Sequence, residues 1–158
     1  MGTVDNHEDV IDIQLQNPRK KFRINGDNSK IIEIDPSDVN IVVRLQGTYK
    51  KLNSLATRAG SLLVDQEEAT DEEAIARASE ALKQLDTEMR ELIDELFNSP
   101  VSTVLASERN MYSPVNGEFW FEHCIEVLSN LYTNNFNSEF KKMQEKIRKR
   151  TNKFTGNS

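Results

Sequence analysis

The sequence predicts an α+β domain that is mostly α: an N-terminal β-hairpin followed by a bundle of three main helices plus one short helix. Three observations carry this expectation. Residues 10–34 alternate apolar and polar with period two, and a turn cluster interrupts them. Apolar residues after Ile34 recur at three- and four-residue steps. Helix-start chemistry stands ahead of two of the helical stretches. At 158 residues the chain fits one domain.

Residues 1–9 carry acids, one His and one apolar Val, and are expected to be a flexible tail. The single domain is expected over 10–155, with a basic, polar tail over 151–158. In the hairpin region, 10–34, Ile11, Ile13 and Leu15 alternate with polar residues and suggest a further strand. Phe22 and Ile24 alternate likewise, and Ile31, Ile32 and Ile34 follow Asn25-Gly26-Asp27-Asn28. Gly and Asn tolerate the positive φ of tight hairpin turns. Two strands alone are marginal in water, so a helix or partner must cover their apolar face.

Asp35-Pro36-Ser37-Asp38 offers an Asp N-cap and Pro at the first helical position of a helix over 36–64. Its stripe is Ile41, Val42, Leu45, Tyr49, Leu52, Leu55, Ala59, Leu62 and Leu63. Gly47 and Gly60 each weaken that helix by about 1 kcal/mol relative to Ala, and Gly60 suggests a close helix contact. Thr70-Asp71-Glu72-Glu73 reads as a capping box opening a helix over 71–97. There Ile75, Ala78, Leu82, Leu85, Met89, Leu92 and Leu96 form a coiled-coil-type seam. Such a seam serves an intramolecular bundle and an inter-chain contact equally well.

Ser99-Pro100 looks like the start of a short helix over 100–106, and 107–117 reads as a loop. The last helix, 118–150, would be about 50 Å long. Its stripe includes Phe121, Cys124, Leu128, Tyr132, Phe136, Phe140, Met143 and Ile147. Thr133-Asn134-Asn135 forms helix poorly and is expected to bend or break it.

Composition excludes several chemistries. No apolar run approaches the roughly 20 residues of a membrane helix, and the N-terminal residues lack the basic and apolar regions of a signal peptide. One Cys forms no internal disulfide. His7, His123 and Cys124 are the only soft ligands. His123 and Cys124 diverge by about 100° on a helix, so no metal site is expected. Phosphate-loop motifs are absent, and no cofactor or catalytic residue is expected. Cys124 lies on an apolar stripe as a small buried hydrophobe.

Surfaces remain. The formal net charge is -6, but its distribution is uneven. Residues 65–95 hold 12 acids and 3 bases. Residues 141–153 hold one acid and seven bases: Lys141, Lys142, Lys146, Arg148, Lys149, Arg150 and Lys153. That basic segment can bind nucleic acid, complement its own helix terminus, or meet an acidic helix. The overall acidity argues against DNA binding as the main role. Phe119, Trp120 and Phe121 cannot share one stripe, so Phe119 or Trp120 covers the 107–117 loop or anchors a partner.

The run F-R-I-N-G-D-N-S-K-I-I-E-I-D-P-S-D from Phe22 and the basic end K-I-R-K-R-T-N-K-F-T-G from Lys146 frame a helical middle. This layout resembles the tail assembly chaperones of siphophages and prophages of Gram-positive hosts, over about residues 20–155. The resemblance implies a non-enzymatic protein of the host cytoplasm that binds the tape measure protein or another tail protein, with self-association into a homo-oligomer in some members. Helix-in-groove recognition uses apolar anchors at i, i+3/i+4 and i+7. The candidate anchors are Leu82, Leu85, Met89, Leu92 and Leu96, then Phe136, Phe140, Met143 and Ile147, with Trp120 beside them. The alternative is a nucleic-acid-binding or regulatory helical module using the basic segment.

Overall fold

A computed structural model describes residues 9–65 and 71–155. Strands β1 (Lys20–Ile24) and β2 (Asp27–Ile34) form an antiparallel hairpin. Helices α1 (Asn40–Asp65), α2 (Glu72–Phe97) and the short α3 (Ser102–Ala106) follow. A second, minimal hairpin of β3 (Pro114–Val115) and β4 (Glu118–Phe119) leads into α4 (Trp120–Thr155). The expected α+β, mostly α architecture is present.

Both hairpins turn on Asn-Gly. Asn25 and Gly26 have φ of 50° and 73°, and Asn116 and Gly117 have 52° and 82°. Two successive positive φ angles match the right-handed twist of the flanking strands, which explains the Asn-Gly pairs. The sequence reading took 107–117 as an uninterrupted loop and missed the second hairpin, because strands of two residues leave no alternation to read. The β1–β2 register shifts between Arg23 and Ile24, and in β2 Asp27 accepts bonds from the Ser29 N–H and hydroxyl beside that irregularity. Ile32 and Ile34 are buried, and Phe22 and Ile24 pack against the same core. The helices thus cover the hairpin's apolar face.

Residues 11–19 form no strand. Ile11, Ile13 and Leu15 are 86%, 78% and 86% exposed, so alternation there found no partner strand. The cap of α1 also shifts. Asp35 accepts from Ser37, whereas Asp38 accepts the Asn40 N–H, so α1 begins four residues after Pro36. Asp35 therefore stabilises the turn before the helix, and Asp38 serves the helix start.

Helices α1 and α2 run antiparallel. The Arg44 guanidinium donates to the Leu96 carbonyl at 2.8 Å, and Arg58 pairs with Glu88 further along. The buried face of α1 is Ile41, Thr48, Leu52, Leu55 and Ala59. Val42, Leu45 and Tyr49, expected on the stripe, are exposed instead. Thr48 takes the inward position because its hydroxyl donates to the Arg44 carbonyl, one turn back. Among the described residues nothing lies within 4 Å of a Cβ built on Gly60, so none of them makes the expected close helix contact.

The N-cap of α2 is Asp71, whose carboxylate accepts the Glu73 N–H; Thr70, the expected cap, lies outside the described residues. Asn98 ends α2 in the left-handed region, φ 49° and ψ 44°, a conformation Asn tolerates. The short helix begins at Ser102 rather than Pro100. The Asp94 carboxylate accepts its backbone N–H at 2.8 Å, while Ser99 donates its hydroxyl to the Glu33 carbonyl in β2. Ser99 thus fastens the hairpin to the helices instead of capping α3.

Helix α4 is continuous through Thr133-Asn134-Asn135. Leu131, Tyr132 and Phe136 pack on either side of that triplet, and this packing outweighs its poor propensity. The helix also runs on through 151–155, expected as tail. No Gly or Pro interrupts it before Gly156.

Candidate interaction surface

The two apolar stripes have different fates. Leu85, Met89, Leu92 and Leu96 are buried in the core, and Leu82 is half-buried beside them. This seam is the packing face between α2 and its intramolecular neighbours. These five residues are therefore corrected from partner anchors to core.

The α4 stripe divides. Phe121, Cys124, Leu128 and Tyr132 are buried. Phe136 is half-buried and stacks in series between Tyr132 and Phe140. From Asn137 to Asn152 every residue of α4 is exposed. Phe140, Met143 and Ile147 are 49%, 52% and 59% exposed on this arm. Spacings of three and four keep them on one side of the helix.

The root of the arm forms one wall of an open groove of about 420 Å³. Phe136, Phe140 and Met143 line that wall, Pro36 and Val39 another, and Gln16 to Pro18 a third. Sequence reading missed Pro36 and Val39 as surface residues. Their one signal is position: they flank the turn ahead of α1, where an apolar residue is easily read as part of the helix start.

The bases lie on the same arm. Lys141, Lys142, Lys146, Arg148, Lys149 and Arg150 are exposed, and the Lys153 side chain lies outside the described residues. Among the described residues only Lys142 has an acid in ion-pair range, Glu139 at 3.5 Å. The basic segment therefore does not pair with the acidic α2 of its own chain.

Trp120 is turned inward. Its indole N–H donates to the Leu105 carbonyl at 3.1 Å, and the Arg109 guanidinium sits 4.8 Å from its ring centroid. Phe119 packs edge-on against Tyr112 at 5.7 Å. Both aromatics thus hold the 105–113 segment, and Trp120 is removed from the free partner anchors.

Comparison of the chain with protein families, curated proteins and solved structures finds no match. What the surface can do is therefore argued from its residues. Cys124 is buried, and burial pushes its thiol up to about 11, away from the thiolate that nucleophilic chemistry needs. Among the described residues, Glu118, His123 and Glu126 each bring one donor atom within 4.8 Å of the others. One His nitrogen, Nε2, is held by the Val115 carbonyl at 2.6 Å, and both carboxylates are exposed. His123 Nδ1 lies 3.9 Å from the Glu118 carboxylate, and the spacing of these three residues in the sequence does not single them out. No helix among the described residues is long and apolar enough to cross a membrane. The combination best suited to a partner is the groove and the basic, apolar arm beyond it.

Proposed function

We propose that this protein is a non-enzymatic phage virion-assembly factor, a tail assembly chaperone. It binds the helical tape measure protein in the host cytoplasm and keeps it soluble until the tail tube forms around it. The supporting observation is the exposed stripe of Phe140, Met143 and Ile147 on the part of α4 that leaves the core. A short helix in water is marginal without a packed face, so such a stripe gains from an apolar partner. Helical clients present that partner in the i, i+3/i+4, i+7 pattern. The groove beside Phe136 extends the same apolar surface inward.

Co-expression with the tape measure protein of the same phage tests this. The client is expected to become soluble and co-purify. A client that stays insoluble in the presence of abundant chaperone would overturn the reading.

A second reading, a nucleic-acid-binding module, is favoured by the exposed bases of 141–150. It predicts tight duplex binding that weakens steeply with salt, through release of counterions from phosphates. The chaperone reading accounts in addition for the apolar residues between those bases, which phosphate contacts do not require.

A further inference from the structure

We infer that the α4 arm selects an amphipathic helix whose apolar stripe is flanked on one side by acidic residues. This rests on the chaperone reading and names the chemistry of the client segment.

At about 100° per residue, Phe136, Phe140, Met143 and Ile147 fall in a stripe roughly 60° wide. On the same wheel Lys146 and Arg150 lie on one flank, the uncharged Gln144 and Thr151 border the other, and Lys141 and Arg148 lie further round, toward the back of the helix. The arm's acids are Glu139, which lies on the Lys146/Arg150 flank about two turns before Lys146 and is engaged by Lys142, and Glu145, on the side away from the stripe. The rim at Lys146 and Arg150 is therefore positive, and neither base has an acid of its own chain in ion-pair range among the described residues.

Such a rim adds little affinity to an uncharged partner but discriminates strongly by sign, because like charges across an interface repel. A second copy's arm carries the same charge and is disfavoured. The acidic α1–α2 end of a second copy has the right sign but the wrong surface. Among the described residues near it, only Val64 and Ile75 are exposed large apolar residues, whereas Ala78 and Leu85 onward face inward. It offers charge without a matching stripe. A separate helix with Glu or Asp beside an apolar stripe meets both requirements.

The test uses the full chain and labelled helical peptides that share one apolar heptad stripe, with Glu or Lys along one flank. The Glu peptide is expected to bind about tenfold more tightly at low salt, the combined effect of a few exposed ion pairs. That preference should largely vanish at about 1 M salt, where screening reaches ionic contact distances. The variant Lys146→Glu/Arg150→Glu should prefer the Lys peptide while keeping the wild-type melting temperature. Met143→Asp should weaken both peptides.

Equal affinity for the two peptides, or an unchanged preference in the charge-reversed variant, would overturn the inference. So would duplex DNA displacing the Glu peptide at matched charge, or salt-sensitive self-association lost in the variant without any peptide binding. A tape measure protein that co-purifies equally with wild type and variant would sink the acidic selection and leave the chaperone reading standing. Peptide selection without any co-purification would do the reverse.

Discussion

The Asp86 carboxylate on α2 accepts the backbone N–H of Met111 at 2.7 Å, across 25 residues of chain. Its other oxygen lies 2.9 Å from Nε of Arg90, and Arg90 in turn donates to the Arg109 carbonyl at 2.9 Å. Met111 and Tyr112 are fully buried, and the Tyr112 hydroxyl donates to the Leu85 carbonyl at 3.0 Å. This clamp fixes the 107–112 segment on α2. It thereby sets where the second hairpin and the start of α4 emerge.

Replacing Asp86 with Ala should cost about 2–3 kcal/mol, because a buried N–H and a guanidinium lose a charged acceptor together. Asp86→Asn keeps an acceptor and should cost less. Urea unfolding midpoints measure both. An Ala variant within experimental error of wild type would show that water replaces the carboxylate at no cost.

The two apolar stripes should separate in the same assay. Leu92→Ala, in the core, should cost about 2–5 kcal/mol through lost burial and the cavity left behind. Met143→Ala, on the exposed arm, should stay within about 0.5 kcal/mol. It should nevertheless weaken client binding. A large stability loss from Met143→Ala would place the arm in the fold's own core.

These two residues also show what the sequence could reveal. Leu92 and Met143 sit on stripes with the same step pattern, and periodicity reports a face without saying what covers it. The hairpin around Asn25-Gly26, the four helices and the α2 seam were legible because local chemistry and tertiary packing agree there. On α1 three expected stripe residues, Val42, Leu45 and Tyr49, face solvent, and Thr48 is buried instead with a hydroxyl satisfied by its own helix, which no hydropathy scale anticipates. Residues 11–15 mimic a strand, yet pairing needs a neighbour that the alternation does not specify. The Asp86–Met111 clamp and the groove at Pro36, Val39 and Phe136 join segments far apart in sequence, and nothing local announces them.

Gly47 and Gly60 offer a gain in stability. Both lie inside α1 with ordinary helical φ, and nothing among the described residues lies within 4 Å of a Cβ built on either. Ala at each position removes backbone freedom from the unfolded chain without a clash. Each substitution should stabilise by about 0.4–1 kcal/mol, and the pair should be close to additive. Thermal melts would show this as an upward shift. A decrease in the Gly60→Ala variant would reveal a partner surface packed against that side of α1.

Stability should fall on the alkaline side in a way that names its residues. Burial pushes the Tyr132 phenol up to about 12 from its ordinary value of 10.0. Burial raises Tyr112 in the same direction and the Cys124 thiol to about 11. As pH rises, the unfolded chain releases each of these protons before the folded chain does. The neutral groups therefore contribute stability that is fully present below their unfolded pKa values and is lost as pH climbs toward the folded ones. The Cys124 window opens first, from about pH 9, and the tyrosine windows from about pH 10. Tyr132→Phe keeps the ring that packs on Phe97 and Phe136 at centroid distances of 6.0 and 6.2 Å. It should change little at neutral pH and should flatten the decline between about pH 10 and 12. Urea midpoints taken across that range in wild type and variant would decide the matter. An identical decline in both would mean that the Tyr132 hydroxyl reaches water in the folded protein.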